Sequence, residues 1–191
     1  IEKYHLAIWK SGPFIKELYK RGLSDDIIRK YRLGFNDGRI TIPIKNAQGM
    51  YVNIRKYLPG APGKDKMRNL HGRGSTRIYP YEQLRYNTLI LCGGEIKALA
   101  TLQRMNAYEI GAIAITAGEG HWDPAFTELI KDKIVYVCMD IDKPGRTAAE
   151  SICARIKEFV TKVYNLILPL NPDKYPKGDI NDYFGQEHKT P

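Results

Sequence analysis

The chain has 191 residues and a mass of 21.8 kDa, the size of one large domain or two small ones. Apolar residues make up 43% of the sequence and charged residues 27%, which excludes a disordered or a collagen-like chain. The formal net charge of +9 is uneven, because residues 1–87 carry +11 and residues 88–191 carry −2. This asymmetry favours a polyanion, such as nucleic acid, that meets the first half and is processed by the second.

The first 87 residues read as a small basic α+β subdomain. Helical periodicity covers 4–20, with a break near 11–13, and Ser24 is placed to cap a second short helix. The alternation of polar and apolar residues over 39–44 predicts a half-buried strand, and with a second strand over 51–57 it predicts a hairpin. We expect the Gly- and Pro-rich stretch 58–76 to be a functional loop.

After residue 87 the pattern changes to apolar strands that alternate with helices. Such alternation predicts a parallel sheet flanked by helices, and therefore an α/β fold. We expect domains at 1–87 and 88–185 and a frayed tail at 186–191. The predicted strands are 88–92, 112–116, 134–139 and 165–169, and the predicted helices are 95–105, 123–131, 146–162 and one that starts at Asp179.

Cysteine and histidine usage favours an ordinary intracellular protein. Three cysteines without a CxxC pair predict reduced core thiols in a cytoplasmic protein, and four scattered histidines lack zinc-ligand spacing. No apolar run reaches the roughly 18 residues of a membrane span, so we expect no membrane partner. The sequence begins at Ile1 without an initiator methionine, and we expect it to be a fragment of a longer protein.

Acidic residues follow several of the predicted strands. Glu95 comes after the first strand, Asp140 and Asp142 after the third, and Asp179 after the fourth and its loop. The carboxyl ends of parallel strands meet at one edge of a sheet, so we expect these side chains to converge. Oxygen ligands without His or thiolate select Mg²⁺ or Mn²⁺. Taken singly, Asp142 and Asp179 can equally be helix caps, and Glu95 can be a surface acid in a first helical turn.

Three segments resemble the signatures of a Toprim domain, which bacterial-type primases share with topoisomerases and several nucleases. They read Gly-Gly-Glu-Ile-Lys-Ala-Leu-Ala (93–100), Asp-Ile-Asp-Lys-Pro-Gly-Arg-Thr-Ala-Ala (140–149) and Lys-Gly-Asp-Ile-Asn-Asp-Tyr-Phe (177–184). The resemblance covers about residues 88–185. Upstream, five segments resemble the basic subdomain that precedes Toprim in primase catalytic cores: 21–24, 33–35, 39–44, 66–69 and 78–79.

The resemblance implies a phage- or plasmid-type DNA primase, a DNA-directed RNA polymerase that makes short primers on single-stranded DNA from NTPs. A replicative helicase, fused or separate, is the partner that such a protein implies. The resemblance also implies that Asp140, Asp142 and Asp179 bind Mg²⁺ or Mn²⁺. A Toprim nuclease and a degenerate, non-catalytic nucleic-acid-binding module are the alternatives.

The first signature departs from the family pattern at two positions. The family usually has a catalytic glutamate where this chain has Gly93, and Lys97 replaces a frequent aspartate. Either Glu95, two residues later, acts as the general acid/base, or that group is missing. We predict that Glu95 takes the role, because it lies within one turn of the strand end.

The candidate ligands of nucleotides and nucleic acid are basic residues and one asparagine. Residues 39–86 carry 10 basic and 2 acidic residues, interleaved with tyrosines that either stack on bases or lie in the core. The candidates are Arg55, Lys66, Arg68, Asn69, Arg73 and Arg77, together with Lys97 and Arg146 from the second half.

Overall fold

The computed structural model describes residues 1–116 and 122–187. The chain divides into two compact units, Ile1–Ser75 and Thr76–Pro191. The boundary expected at 87 and 88 falls later than this division, because Ile78–Tyr79 already pairs with the sheet of the second unit. Each unit has its own sheet, as the α/β fold with a preceding α+β subdomain requires.

The first unit opens with three short helices, α1 (Glu2–Ile8), α2 (Gly12–Lys20) and α3 (Asp25–Lys30). The predicted break between the first two is confirmed. The predicted cap is also confirmed, since the Ser24 hydroxyl accepts a hydrogen bond of 3.4 Å from the Ile27 amide.

A four-stranded antiparallel sheet follows, in the order β1 (Gly34–Asn36), β2 (Arg39–Lys45), β3 (Tyr51–Tyr57) and β4 (Met67–Asn69). The pairing of β2 with β3 confirms the predicted hairpin. Strand β4 lies inside the stretch expected to be loop, where Met67–Asn69 pairs with β3. Strand β1 was likewise not predicted. Both have three residues, too few to show a period in the sequence.

Strand β2 is buried along six of its seven residues, and the expectation of a half-buried strand is wrong. Its isoleucines contribute to the core, but Arg39 and Thr41 are also buried, at 9% and 1% exposure. The Arg39 guanidinium donates a 2.8 Å hydrogen bond to the Asp65 carbonyl, which provides a partner for the buried charge.

The second unit contains a five-stranded sheet in the order β5-β7-β6-β8-β9. Its strands β6 to β9 are parallel, as predicted, and the two-residue β5 adds an antiparallel edge. The strands are β5 (Ile78–Tyr79), β6 (Thr88–Cys92), β7 (Ile110–Ile115), β8 (Ile134–Cys138) and β9 (Lys162–Asn165), and the helices are α4 (Glu95–Met105), α5 (Ala125–Leu129), α6 (Lys143–Ile156) and α7 (Ile180–Glu187).

The fourth predicted strand is wrong in both position and burial. Strand β9 covers Lys162–Asn165 instead of 165–169, and it is an edge strand whose residues are mostly exposed. The apolar run that suggested a later strand includes Ile167, which is 66% exposed. Among the helices predicted after residue 87, the one over 95–105 matches α4. Helix α5 is shorter than the predicted 123–131, and α6 begins and ends earlier than the predicted 146–162. Of the predicted tail, residues 186 and 187 continue α7, and 188–191 lie outside the described residues.

The three cysteines are free, as predicted. Cys92 and Cys138 are buried, while Cys153 is half-buried on α6. Burial raises the pKa of the Cys92 thiol to about 12, so this thiol is protonated and unreactive at neutral pH. Within 1–116 and 122–187, no helix is long and apolar enough to cross a membrane.

Candidate active site

The carboxyl ends of β6 and β8 lie side by side in the second unit. The two strands are adjacent and parallel, and Cys92 pairs in register with Cys138. The segment that leads into α4 and the segment that leads into α6 therefore leave the sheet together. This register brings the first and second signature segments to one edge of the sheet, as the sequence predicted.

The segment after β8 is held by two backbone contacts. A Cβ atom added to Gly145 would lie 2.3 Å from the Asp140 carbonyl oxygen, so only glycine permits this close approach. The Ile141 amide donates a 2.9 Å hydrogen bond to the Gly178 carbonyl. The third signature segment is thereby tied to the second, and Asp179 is positioned next to Asp140.

Lys97 stands between these two aspartates. Its Nζ donates a hydrogen bond to Asp140 Oδ1, and it lies 3.3 Å from Asp179 Oδ2. The exposed fractions of the three side chains are 13% for Lys97, 25% for Asp140 and 11% for Asp179. One ammonium group thus compensates two largely buried carboxylates.

The electrostatics of Asp140 follow from this burial. Desolvation raises the pKa of its carboxyl, and the neighbouring charges of Asp179 and Asp142 act in the same direction. The Lys97 ammonium opposes the shift without cancelling it. Asp140 therefore lies in a site that favours added positive charge.

Asp142 has a different partner. Its Oδ1 accepts a 2.9 Å hydrogen bond from the Gly145 amide and caps the N-terminus of α6. The Nε of Arg146 donates to the Ile141 carbonyl over 2.7 Å, and the residue is exposed. Of the two interpretations left open for Asp142, helix cap and metal ligand, the structure shows the cap in place.

Asp179 combines the ion pair with a helix-capping role. Its Oδ1 accepts a 2.7 Å hydrogen bond from the Asn181 amide. The Asp179 amide in turn donates a 3.0 Å hydrogen bond to Asp182 Oδ2. This reciprocal pattern is that of a capping box at the start of α7. It holds the Asp179 carboxylate in one orientation toward Lys97.

Glu95 is the first residue of α4 and is 4% exposed. Its position at the end of β6 agrees with the predicted neighbourhood of the acid/base. This burial contradicts the alternative that Glu95 is an exposed surface acid in the first turn of α4. Its catalytic role stays a prediction.

The acidic set suits a hard cation by its oxygen chemistry, and each of its three aspartates already has a protein partner. Asp140 and Asp179 share Lys97, and Asp142 faces the α6 N-terminus. Among the residues that the structure describes, no three acidic, histidine or cysteine side chains converge to hold a metal ion. The predicted ligands are thus brought to one edge of the sheet, where their binding of Mg²⁺ or Mn²⁺ stays a prediction.

The basic candidates of the first unit lie on and after β3 and β4. Register pairs Arg55 with Asn69 on one face of the sheet and Lys56 with Arg68 on the other. Arg68 pairs with Asp65 at 2.6 Å, whereas Arg55 donates to Asn69 Oδ1 at 3.2 Å. The candidates Arg55 and Arg68 therefore do not share one face. Lys66, Arg68, Asn69 and Arg73 are exposed, and Arg55 is half-buried.

One polar residue of this sheet was missed by the sequence analysis. Asn53 is 4% exposed, and its Nδ2 donates a 2.8 Å hydrogen bond to Asn69 Oδ1. Its Oδ1 accepts from the Leu70 amide at 3.3 Å, so the side chain fixes the end of β4. An asparagine inside a strand pattern is the signal that would have singled it out.

The remaining basic candidates, Arg77, Lys97 and Arg146, belong to the second unit. The Arg77 amide donates to Thr116 Oγ1 at 3.0 Å, and this residue precedes strand β5. Of the five tyrosines within 39–86, Tyr57 and Tyr79 are core residues at 3% and 2% exposure. Tyr51 is 45% exposed and lies 4.8 Å from the Lys45 ammonium.

The sequence matches no protein-family profile and no curated protein. Solved structures do match. The zinc-binding and RNA polymerase domains of the Aquifex aeolicus primase superpose with a TM-score of 0.70 at 17% identity, over 98% of this chain and 57% of that one. The primase fragment of the bacteriophage T7 primase-helicase protein gives a TM-score of 0.59 at 18% identity, over 88% of this chain and 68% of that one. A DnaG primase catalytic domain bound to ssDNA gives a TM-score of 0.61 at 19% identity, over 97% of this chain and 77% of that one.

The chain therefore has the fold of a DnaG-type primase catalytic core, and the predicted fold class is confirmed. The similarity extends over both units, because it covers nearly the whole chain. The chain spans 57% of the length of the Aquifex protein.

Proposed function

We propose that this chain is the catalytic core of a DNA primase, which makes short RNA primers on single-stranded DNA by metal-dependent nucleotidyl transfer. The observation that carries the proposal is the extent of the fold match, 98% of the chain, since it includes the basic unit as well as the parallel-sheet unit. A Toprim nuclease does not account for the basic unit.

The first unit is proposed to hold the template. Its exposed Lys66, Arg68 and Arg73 provide positive charge for phosphates, and counterion release then supplies most of the affinity. Arg55 and Asn69, joined by a hydrogen bond, offer a second pair of donors on the other face of the sheet. Single-stranded DNA is the proposed partner, and one structural neighbour, a DnaG primase catalytic domain, is bound to ssDNA.

The second unit is proposed to carry the chemistry. Glu95 is the proposed general acid/base for the attacking hydroxyl, and the exposed Arg146 is a proposed contact for a triphosphate. Lys97 and Arg77 remain proposed nucleotide contacts. Mg²⁺ or Mn²⁺ is the proposed cofactor, with Asp140 as its most accessible acidic ligand among those in the Lys97 cluster.

A second candidate function is supported by two observations. Lys97 pairs with two of the three predicted metal ligands, and Gly93 stands where a catalytic glutamate is usual. A site with these features suits a module that binds nucleic acid without catalysis.

One experiment separates the candidates. The full chain is incubated with single-stranded DNA, labelled NTPs and either Mg²⁺ or Mn²⁺, and the products are resolved by length. Primase activity gives RNA products that depend on the template, a nuclease shortens the DNA, and a binding module does neither while still shifting the DNA in a gel. Asp140→Asn serves as the matched control, because it removes a carboxylate and keeps the side-chain shape.

A helicase is the remaining proposed partner. It is suggested by the T7 relative, which is described as part of a primase-helicase protein. Co-purification of the chain with the helicase of the same replication system, with and without DNA, tests this association.

A further inference from the structure

We infer that the Lys97 ammonium is a built-in cation that takes the place of one divalent metal ion between Asp140 and Asp179. The inference rests on the proposed function, because it concerns the same carboxylates, but its test needs no catalysis.

Lys97 bridges two carboxylates. The Nζ atom contacts carboxylate oxygens of two residues that arrive from different parts of the chain, one after β8 and one before α7. Bridging two carboxylates from separate elements is what a metal ion does in an acidic site. Here a covalently attached charge does it instead.

The cluster of Lys97, Asp140 and Asp179 is largely buried. Lys97 and Asp179 are only 13% and 11% exposed, so this is no surface ion pair that solvent would screen. Two carboxylates in contact resist double ionisation unless a cation neutralises them. In the described residues near them, Lys97 is the basic side chain that pairs with both.

The charge balance limits how many metal ions the site accepts. One ammonium against two carboxylates leaves a single negative charge, where a divalent ion would leave none. The residual charge lies toward Asp140, the most exposed member of the cluster at 25%. We therefore expect at most one divalent ion per chain, and an ion that binds both carboxylates has to displace Lys97.

The test compares thermal unfolding of the wild-type chain and Lys97→Met, each in a chelator and in excess Mn²⁺. Methionine keeps the unbranched stem and removes the charge, so Lys97→Met is expected to lose stability in the chelator. Mn²⁺ at about 100 times its dissociation constant should raise the Tm of this variant by about 5–10 °C. The wild-type Tm should rise by less than that of the variant, because Lys97 already lies between the two carboxylates.

Lys133→Met is the matched control. Lys133 is also partly buried, but its ammonium donates to the Tyr86 carbonyl over 2.9 Å. Its replacement should cost stability equally with chelator and with Mn²⁺. A metal-dependent gain of equal size in both lysine variants would overturn the inference.

Direct Mn²⁺ binding by electron paramagnetic resonance keeps the inference testable if Lys97→Met does not fold. The wild-type chain should bind no more than one Mn²⁺, and two bound ions per chain would refute the built-in cation. A wild type that never extends a primer, combined with a Mn²⁺-stabilised Lys97→Met, supports the inference while the proposed function fails. Primer extension by the wild type, with no Mn²⁺-dependent rise in the Tm of Lys97→Met, supports the proposed function while the inference fails.

Discussion

The two units differ in charge and in how they hold their polar side chains. Residues 1–75 carry 16 basic and 6 acidic residues, whereas residues 76–191 carry 14 and 15. In the first unit the Arg68–Asp65 pair is more than half exposed, while in the second Lys97 and Asp179 are almost buried. Salt therefore screens the Arg68–Asp65 pair far more than the pair of Lys97 and Asp179.

In the proposed enzyme, the first unit binds nucleic acid and the second unit carries out the reaction. Exposed charges of the first unit suit a polyanion whose sequence is not fixed, because they gain from counterion release and adapt to the chain they meet. The rigid cluster of the second unit suits a reaction that needs fixed groups. Substitutions in the two units should thus change different measured quantities.

The largest expected effect is on the reaction and comes from Glu95→Gln. Loss of a general acid/base should lower the rate of primer synthesis by about 10²–10⁴-fold. The affinity for single-stranded DNA should stay within a few-fold, because the first unit carries the basic excess. Single-turnover extension and fluorescence anisotropy measure the two quantities. Wild-type extension rates in Glu95→Gln would remove Glu95 from the mechanism.

The next effect is on stability. Gly145→Ala is expected to lower the free energy of unfolding by about 1–3 kcal/mol, because the new Cβ would lie 2.3 Å from the Asp140 carbonyl oxygen. Gly34→Ala is the counterpart in the first unit, since its Cβ would lie 2.5 Å from the Tyr4 carbonyl carbon. Only Gly145→Ala should also impair catalysis.

The control for these glycines is Gly185→Ala in α7. No atom lies within 4 Å of its added Cβ, so the helix should gain up to about 1 kcal/mol. Urea unfolding measures all three variants. Equal stability of Gly145→Ala and wild type would contradict the close approach that positions Asp140.

The third effect concerns the salt dependence of DNA binding. If about four phosphates are contacted, log K should fall against log salt with a slope near −3. Lys66→Ala with Arg68→Ala should weaken binding to all sequences and flatten that slope by about one to two units. Asp65→Asn should act in the opposite direction, because it releases Arg68 from its 2.6 Å ion pair.

A control from the second unit sharpens this comparison. Asp140→Asn should leave the slope unchanged, because Asp140 belongs to the unit without a basic excess. A wild-type slope near zero would exclude phosphate contacts as the source of affinity. Titrations by anisotropy at four or five salt concentrations suffice.

The sequence predicted most accurately those elements whose own residues show a clear hydrophobic pattern. The continuous apolar run of β6 and the periodicity of α4 predicted the first and last residues of both elements correctly. The convergence of Asp140 and Asp179 could also be predicted, because parallel strands and their following loops share one edge.

Other features depend on tertiary contacts that no local pattern encodes. Strands β1, β4 and β5 have two or three residues and exist through their pairing with longer strands. The apolar residues that follow β9 resembled a strand, yet Ile167 is 66% exposed, because apolar composition does not set pairing register. Lys97 resembled a phosphate ligand, and its two carboxylate partners become visible only once α4, β8 and α7 are assembled.

The smallest expected effect distinguishes the two roles of Asp142. Asp142→Ala removes the cap of α6 and should lower the free energy of unfolding by about 1 kcal/mol. Asp142→Asn keeps a side-chain oxygen that accepts from the Gly145 amide, so its stability should be close to that of wild type. Urea unfolding in a chelator isolates this capping term.

Mn²⁺ titration of the same two variants then tests the second role. If Asp142 only caps α6, Asp142→Asn should bind Mn²⁺ as the wild type does, because the amide preserves the helix start and therefore the position of Asp140. If Asp142 is also a metal ligand, both variants should lose affinity together, since an amide oxygen lacks the carboxylate charge. Equal loss in a stable Asp142→Asn would show that the Asp142 carboxylate is a metal ligand, a role open to Oδ2 while Oδ1 accepts from the Gly145 amide.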